Sequence, residues 1–171
     1  MIESVVKDVV LSAVSSALRG SQTGSGGGTS LDIRASVGTS TSPTSTGTKD
    51  IALPFEAKAF LPFGSLSLAN GVTSDSACLG FGAGTSSSSR AAVGVSSRSS
   101  VTTSATARHH NNGKIHYPLY NEANFYALAD IQSIAVDKVT LNWTAASAAW
   151  ILNYIALGGA DLEVSLVQCQ M

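Results

Sequence analysis

Three histidines, His109, His110 and His116, fall within one short stretch of the chain. Neutral imidazoles are good ligands for Zn or Ni, and a threefold axis could bring copies of such a cluster together. The spacing matches no established site, however, and no Cys or acid completes it. The expectation is a polar loop or subunit contact, with no metal and no cofactor. Nucleophilic catalysis needs a Ser or Cys beside a base that a third group orients. Serine is abundant, but no Gly-x-Ser-x-Gly elbow occurs, and the only histidines are those three. Glycoside hydrolysis needs two carboxylates flanking a sugar. Asp32, Asp50, Glu56, Asp75, Glu122, Asp130, Asp137, Asp161 and Glu163 are scattered singly, as solvated strand and turn positions are. Gly80, Gly82 and Gly84 echo a dinucleotide loop, but with no helical pattern after them they are expected to relieve packing in a strand. Asn142-Trp143-Thr144 has the form of a glycosylation sequon inside an expected strand. A non-enzymatic protein is the expectation.

The elements that would position these residues belong to a chain of 171 residues, 44% hydrophobic and with a net charge of −1. With a mean hydropathy of +0.21 it is too apolar to be disordered throughout. Charged residues make up only 12%, about half of the usual ~25%. Ser, Thr, Ala and Gly take their place, which suits pleated strands, turns and a surface packed among copies of itself. No basic stripe is present, so nucleic acid is not an expected partner. No apolar run approaches the ~20 residues of a membrane span. The start, Met1-Ile2-Glu3, has acid where a signal peptide has base. Cys78 and Cys169 lie far apart and are expected to be buried free thiols.

Residues 1–20 read as a helical arm. Ile2, Val5, Val6, Val9, Ala13 and Ala17 recur at three- and four-residue steps, with Arg19 in the last turn and Gly20 closing it. The many valines weaken helix propensity, so this stripe needs a surface to pack on. It either folds back on its own domain or serves as an anchoring or oligomerising arm, with Ile2, Val5, Val6, Val9 and Ala13 as the contact residues. Residues 21–30 form a flexible Gly/Ser linker by composition.

Residues 31–171 read as one β domain. Leu31, Ile33, Ala35 and Val37 alternate with polar residues as a half-buried strand does, and Thr39 to Lys49 reads as a long loop. Ile51 to Leu68 is rich in strand formers, with Pro54 and Pro62 expected at strand ends or edges. Asn70-Gly71 marks a tight turn. Short strands are expected at 77–82, 90–96, 101–108 and 114–119, whereas 121–129 could also form a short helix. Val139, Leu141 and Trp143 alternate. The run Trp150 to Leu157 reads as a central buried strand, and Leu162, Val164 and Leu166 begin another alternation. Leu141, Trp143, Trp150, Tyr154 and Leu157 are the expected core, the tryptophans as its pillars. The fold class is all-β, a two-layer antiparallel sandwich, jelly-roll-like, with an N-terminal amphipathic helix on a Gly/Ser linker.

Val139-Thr140-Leu141-Asn142-Trp143-Thr144, followed by Tyr154-Ile155-Ala156-Leu157-Gly158-Gly159, resembles the close of a domain recurrent in tailed-phage virion proteins. Leu53-Pro54-Phe55-Glu56-Ala57-Lys58-Ala59-Phe60-Leu61 is similar to that family's opening strand, with Ala57 in place of its Pro. Leu79-Gly80-Phe81-Gly82-Ala83, Ser89 to Val93 and Thr106 to His109 resemble strands that follow in the same order, and Asp137-Lys138 stands where the family has an Asp-Gly turn. The likeness covers about Lys49 to Leu162 and not the arm. It implies a structural virion component, as a capsid decoration (cement) or tail accessory protein. Such a protein is made in a host cytoplasm and is partnered by other virion proteins and by copies of itself, with a trimer as one form. The alternative is a carbohydrate-binding module at a tail tip, which needs exposed aromatics for sugar stacking; Tyr117, Tyr120, Phe125 and Tyr126 are the cluster available.

Overall fold

The computed structural model describes residues 31–69, 71, 76–98, 105–119 and 126–164. The expected arm, with Ile2, Val5, Val6, Val9 and Ala13, and the linker lie outside the described residues. Among the described residues nine strands run β1 (Arg34–Thr41), β2 (Gly47–Ala52), β3 (Ala57–Gly64), β4 (Ser76–Gly84), β5 (Arg90–Arg98), β6 (Ala105–Asn111), β7 (Ala127–Ala135), β8 (Lys138–Ala146) and β9 (Ile151–Gly158). They form two antiparallel sheets, one ordered β1-β9-β3-β4-β5-β6 and the other β2-β8-β7. The expected β-sandwich is present, and there is no helix among the described residues.

Period-two burial decides which side of each strand meets the other sheet. On β8, Val139, Leu141 and Trp143 are buried and Asn142 and Thr144 are exposed. On β9, Leu152, Tyr154 and Ala156 point inward, where Tyr154 stacks on Phe60 of β3 with ring centroids 5.3 Å apart. Ile51 of β2 and Ala127, Ala129 and Ile131 of β7 complete the opposing layer. Gly38 on β1 leaves room for the Tyr154 ring, since a Cβ there would lie 2.4 Å from the Tyr154 hydroxyl.

The three-stranded sheet cannot cover six strands, and Ile115 to Leu119 supply the rest of the inner layer. These five residues are all buried. The segment is not the expected strand: its tie to β7 is one bridge, His116 to Ala129. It lies instead against the inward glycines of β4 and β5. A Cβ on Gly82 would sit 1.6 Å from the Ile115 carbonyl oxygen, and one on Gly94 2.2 Å from that of Tyr117. A Cβ on Gly80 would sit 2.7 Å from the Pro118 nitrogen. The glycines therefore do relieve packing in strands: Gly80, Gly82 and Gly94 admit backbone, and Gly84 admits the Ile131 and Ile115 side chains. Tyr117, Leu119 and Ala92 form a second small core there.

Other expectations need correction. Most of the expected loop from Thr39 to Lys49 belongs to β1 and β2, and Pro43 sits in the short crossing between them. Pro62 is neither at a strand end nor on an edge: it is buried within β3, between β9 and β4. Its ladder to β9 is continuous there, whereas the ladder to β4 skips Leu61 and Pro62, where the ring has no N–H to give. The strand expected at 101–108 starts at Ala105 as β6, with 101–104 outside the described residues. Ala127 to Ala135 form β7, an unforeseen strand because small alanines carry much of its inward face. Leu162 and Val164 follow a turn and join no strand. In the expected core, Leu141, Trp143 and Tyr154 are buried, but Trp150 only packs half-buried against it and Leu157 faces the opposite side of the sheet.

Gly82→Ala is expected to cost about 3 kcal/mol or more, because the clash is with a backbone carbonyl that cannot rotate away. Urea melts of the two proteins measure the difference. A loss below about 1 kcal/mol would show that the 115–119 backbone does not rest on Gly82.

Candidate interaction face

β9 has two neighbours and hence two packed edges, but only one of its faces meets the other sheet. Ile151, Ile155 and Leu157 alternate away from the core and are half-buried. The pairing register carries this apolar side across the sheet. Val37 of β1 stands opposite Ile155, which stands opposite Leu61 of β3. Phe63 of β3 pairs with Phe81 of β4, and Phe81 pairs with Val93 of β5. The Phe63 and Phe81 rings stack at 6.2 Å. Leu79 pairs with Val95, and Arg108 and His110 of β6 pair with Val95 and Val93 at the rim.

The side chains of this face are exposed to a degree unusual for their type: Val37 by 74%, Val95 by 42% and Phe81 by 38%. The face spans six strands, about 24 Å across at ~4.8 Å per strand. Scattered exposed apolar residues need no explanation, but a contiguous apolar sheet face marks an interaction surface. Alternation in β3, β4 and β5 was legible as strand pattern. The signal that they are apolar on both sides lies in pairs such as Phe60 with Leu61 and Phe63, and in the glycines that hide how apolar the inner side is.

The polar residues hold the strands. Arg90, at the start of β5, forms an ion pair with Asp130 of β7 across the two sheets, its Nη2 donating to Oδ2 at 2.7 Å. The same guanidinium donates to the Gly113 carbonyl at 3.3 Å. Lys138 and Thr140 donate to Asp50 across the β8–β2 ladder at 2.6 and 2.7 Å. These hydrogen bonds, Lys138 first, hold the Asp50 carboxyl below its usual range. Asp32 is held low by Arg34 and by the Ala160 amide, which fastens the entry to β1 onto the turn after β9.

Two open depressions lie at the end of the sandwich and share Glu56 and Lys58. The larger, of about 560 Å³, also has Thr85, Ser86 and Gln132 on its walls. Lys58 is already committed, donating to the Ala160 and Leu162 carbonyls at 3.0 and 2.7 Å. The larger depression has one carboxylate on its walls, Glu56, and the smaller has Asp32, Glu56 and Asp137.

The three histidines do not converge. His109 and His110, consecutive on β6, point to opposite sides of the sheet, His109 stacking on Tyr117 at 4.9 Å. His116 is fully enclosed and meets the Trp143 ring edge-on at 5.7 Å. No group of three or more His, Cys, Asp or Glu suited to a metal occurs among the described residues. Cys78 donates to the Leu119 carbonyl at 2.6 Å, and burial pushes its thiol up to about 11, away from thiolate chemistry. In the expected sugar-stacking cluster, Tyr117 is only 3% exposed and Tyr126 is half-buried against Trp150. Tyr120 and Phe125 lie outside the described residues.

Compared with protein-family models, with curated proteins and with solved structures, the chain matches none.

Burial lowers the His116 pKa to about 3. The unfolded chain, with its histidine near 6.5, therefore binds a proton that the folded chain refuses between those values. The stability contributed by neutral His116 is complete above about pH 6.5 and is lost as the pH falls towards 3. Each unit of that fall removes at most ~1.4 kcal/mol. Urea melts at pH 7.5 and 4.5 are expected to differ less in His116→Phe than in wild type; equal differences would mean that His116 can be protonated in place.

Proposed function

We propose that the protein is a non-enzymatic structural subunit, a component of a tailed-phage virion that works by packing against neighbouring protein. The single observation that carries this reading is the apolar outer face of the six-stranded sheet, which no described residue covers. A sandwich with one finished side and one unfinished side is built to be covered, and burial of such a face gives a large favourable term, ~25 cal/mol per Å².

Three further features support the reading. A charge content of 12% leaves little repulsion between close-packed copies. The segments that resemble the virion domain, 139–144 and 154–159, fall on β8 and β9, whose inward residues form the centre of the core. The interleaving of β1, β9 and β3 in one layer over β2 and β8 in the other supports a jelly-roll-like reading of the two sheets. In this reading the partners are other virion proteins of the capsid or tail, together with copies of this chain. Symmetric closure, with a trimer as one solution, limits the size of the assembly. The place of action is the particle itself.

Full-length protein is expected to form a discrete oligomer at micromolar concentration in sedimentation velocity and native mass spectrometry. Val37→Asp, which puts a charge on the face at its β1 edge, at a highly exposed site, is expected to weaken association by roughly tenfold or more without changing the fold. A wild-type chain that stays monomeric up to millimolar concentration would overturn the reading.

A further inference from the structure

The outer face is an apolar surface without a cover among the described residues, and the sequence contains an apolar stripe outside them. The stripe, Ile2, Val5, Val6, Val9, Ala13 and Ala17, precedes Ser21–Ser30, and the linker delivers the chain to β1. β1 is an edge strand of the same sheet that carries the face. Leu31 and Ile33, exposed by 49% and 37%, continue the alternation of Ala35 and Val37, so an apolar row runs from the face to the mouth of the linker.

We propose that residues 1–19 form the cover of this face, each arm lying on the outer sheet face of an adjacent copy. This rests on the reading of the protein as an assembling subunit and names what does the assembling. The dimensions agree. Nineteen residues in helical form measure about 28 Å, at 1.5 Å per residue, and the six-stranded sheet is about 24 Å wide. A ten-residue Gly/Ser linker has a root-mean-square span of about 17 Å and a reach of about 33 Å. It starts at the lateral rim of the sheet, beside β1, where an adjacent sandwich would stand. An amphipathic helix rich in valine is weak alone and gains its stability from such a seat. Exchange of an identical element between copies ties them without any new surface.

The experiment uses full-length chains throughout. Val5→Asp with Val9→Asp spoils the stripe, and Val37→Asp with Val95→Asp spoils the face. Threonine at the same face positions, with circular dichroism and thermal melts, serves as the check on folding. Each double aspartate variant alone is expected to sediment as a monomer where wild type is assembled, an association weakened roughly a hundredfold or more. Mixed in equal amounts, they are expected to form a one-to-one complex, because one supplies the arm and the other the face. If the stripe variant assembles like wild type while the face variant does not, faces pair with faces; the arm inference falls and the assembling reading stands. If the mixture stays monomeric although both variants are folded, the arm does not join copies and the inference falls. If wild type itself is monomeric, both fall.

Discussion

A three-stranded sheet measures about 10 Å between its outer strands, and a six-stranded one about 24 Å. The two sheets of this protein are therefore unequal by more than a factor of two, and the inner side of the larger one must be closed by something other than strand. Ile115 to Leu119 do this, running as irregular backbone over β4 and β5. Backbone can come that close only where side chains are missing, which is the role of Gly80, Gly82 and Gly94. His116 is carried into the core by the same segment and sits neutral against Trp143, with its amide and carbonyl spent on Ala129.

The inequality also shapes the outer side. The larger sheet carries apolar residues on both faces through β9, β3, β4 and β5, and among the described residues only its inner face has a protein layer over it. The few charges are used to fasten strands at their ends: Arg90 to Asp130 between sheets, Lys138 to Asp50 within the smaller one, and Asp32 to the turn after β9. Pairs this exposed contribute little stability individually, apart from the largely enclosed Arg90–Asp130 pair. They do fix register and, apart from the Thr39–Asn153 hydrogen bond on β1 and β9, leave the middle of the outer face to hydrocarbon.

Much of the architecture was legible as period-two alternation. β8 and β1 show it directly, and β9 shows it as a long apolar run bounded by Gly158-Gly159. That run was ambiguous because a strand apolar on both sides has no alternation to read. It looked like a strand buried on both faces, and Leu157 like core, whereas half of its side chains stand on the open face. β7 was missed where alanine supplies the buried positions, and Pro62 misled because an interior strand tolerates proline only if the ladder on one side gives way.

The sequence by itself determined the all-β class of the protein, through alternation and turn residues. It also determined where an amphipathic stripe and a linker precede the domain. Only the tertiary structure decided which apolar residues are core and which are surface. Period two assigns residues to two sides of a strand, but the side that becomes interior depends on how many strands the opposing layer contains. With three strands and one crossing segment on the inside, Leu152 and Tyr154 are core, and Val37, Ile155 and Phe81 are left facing outward.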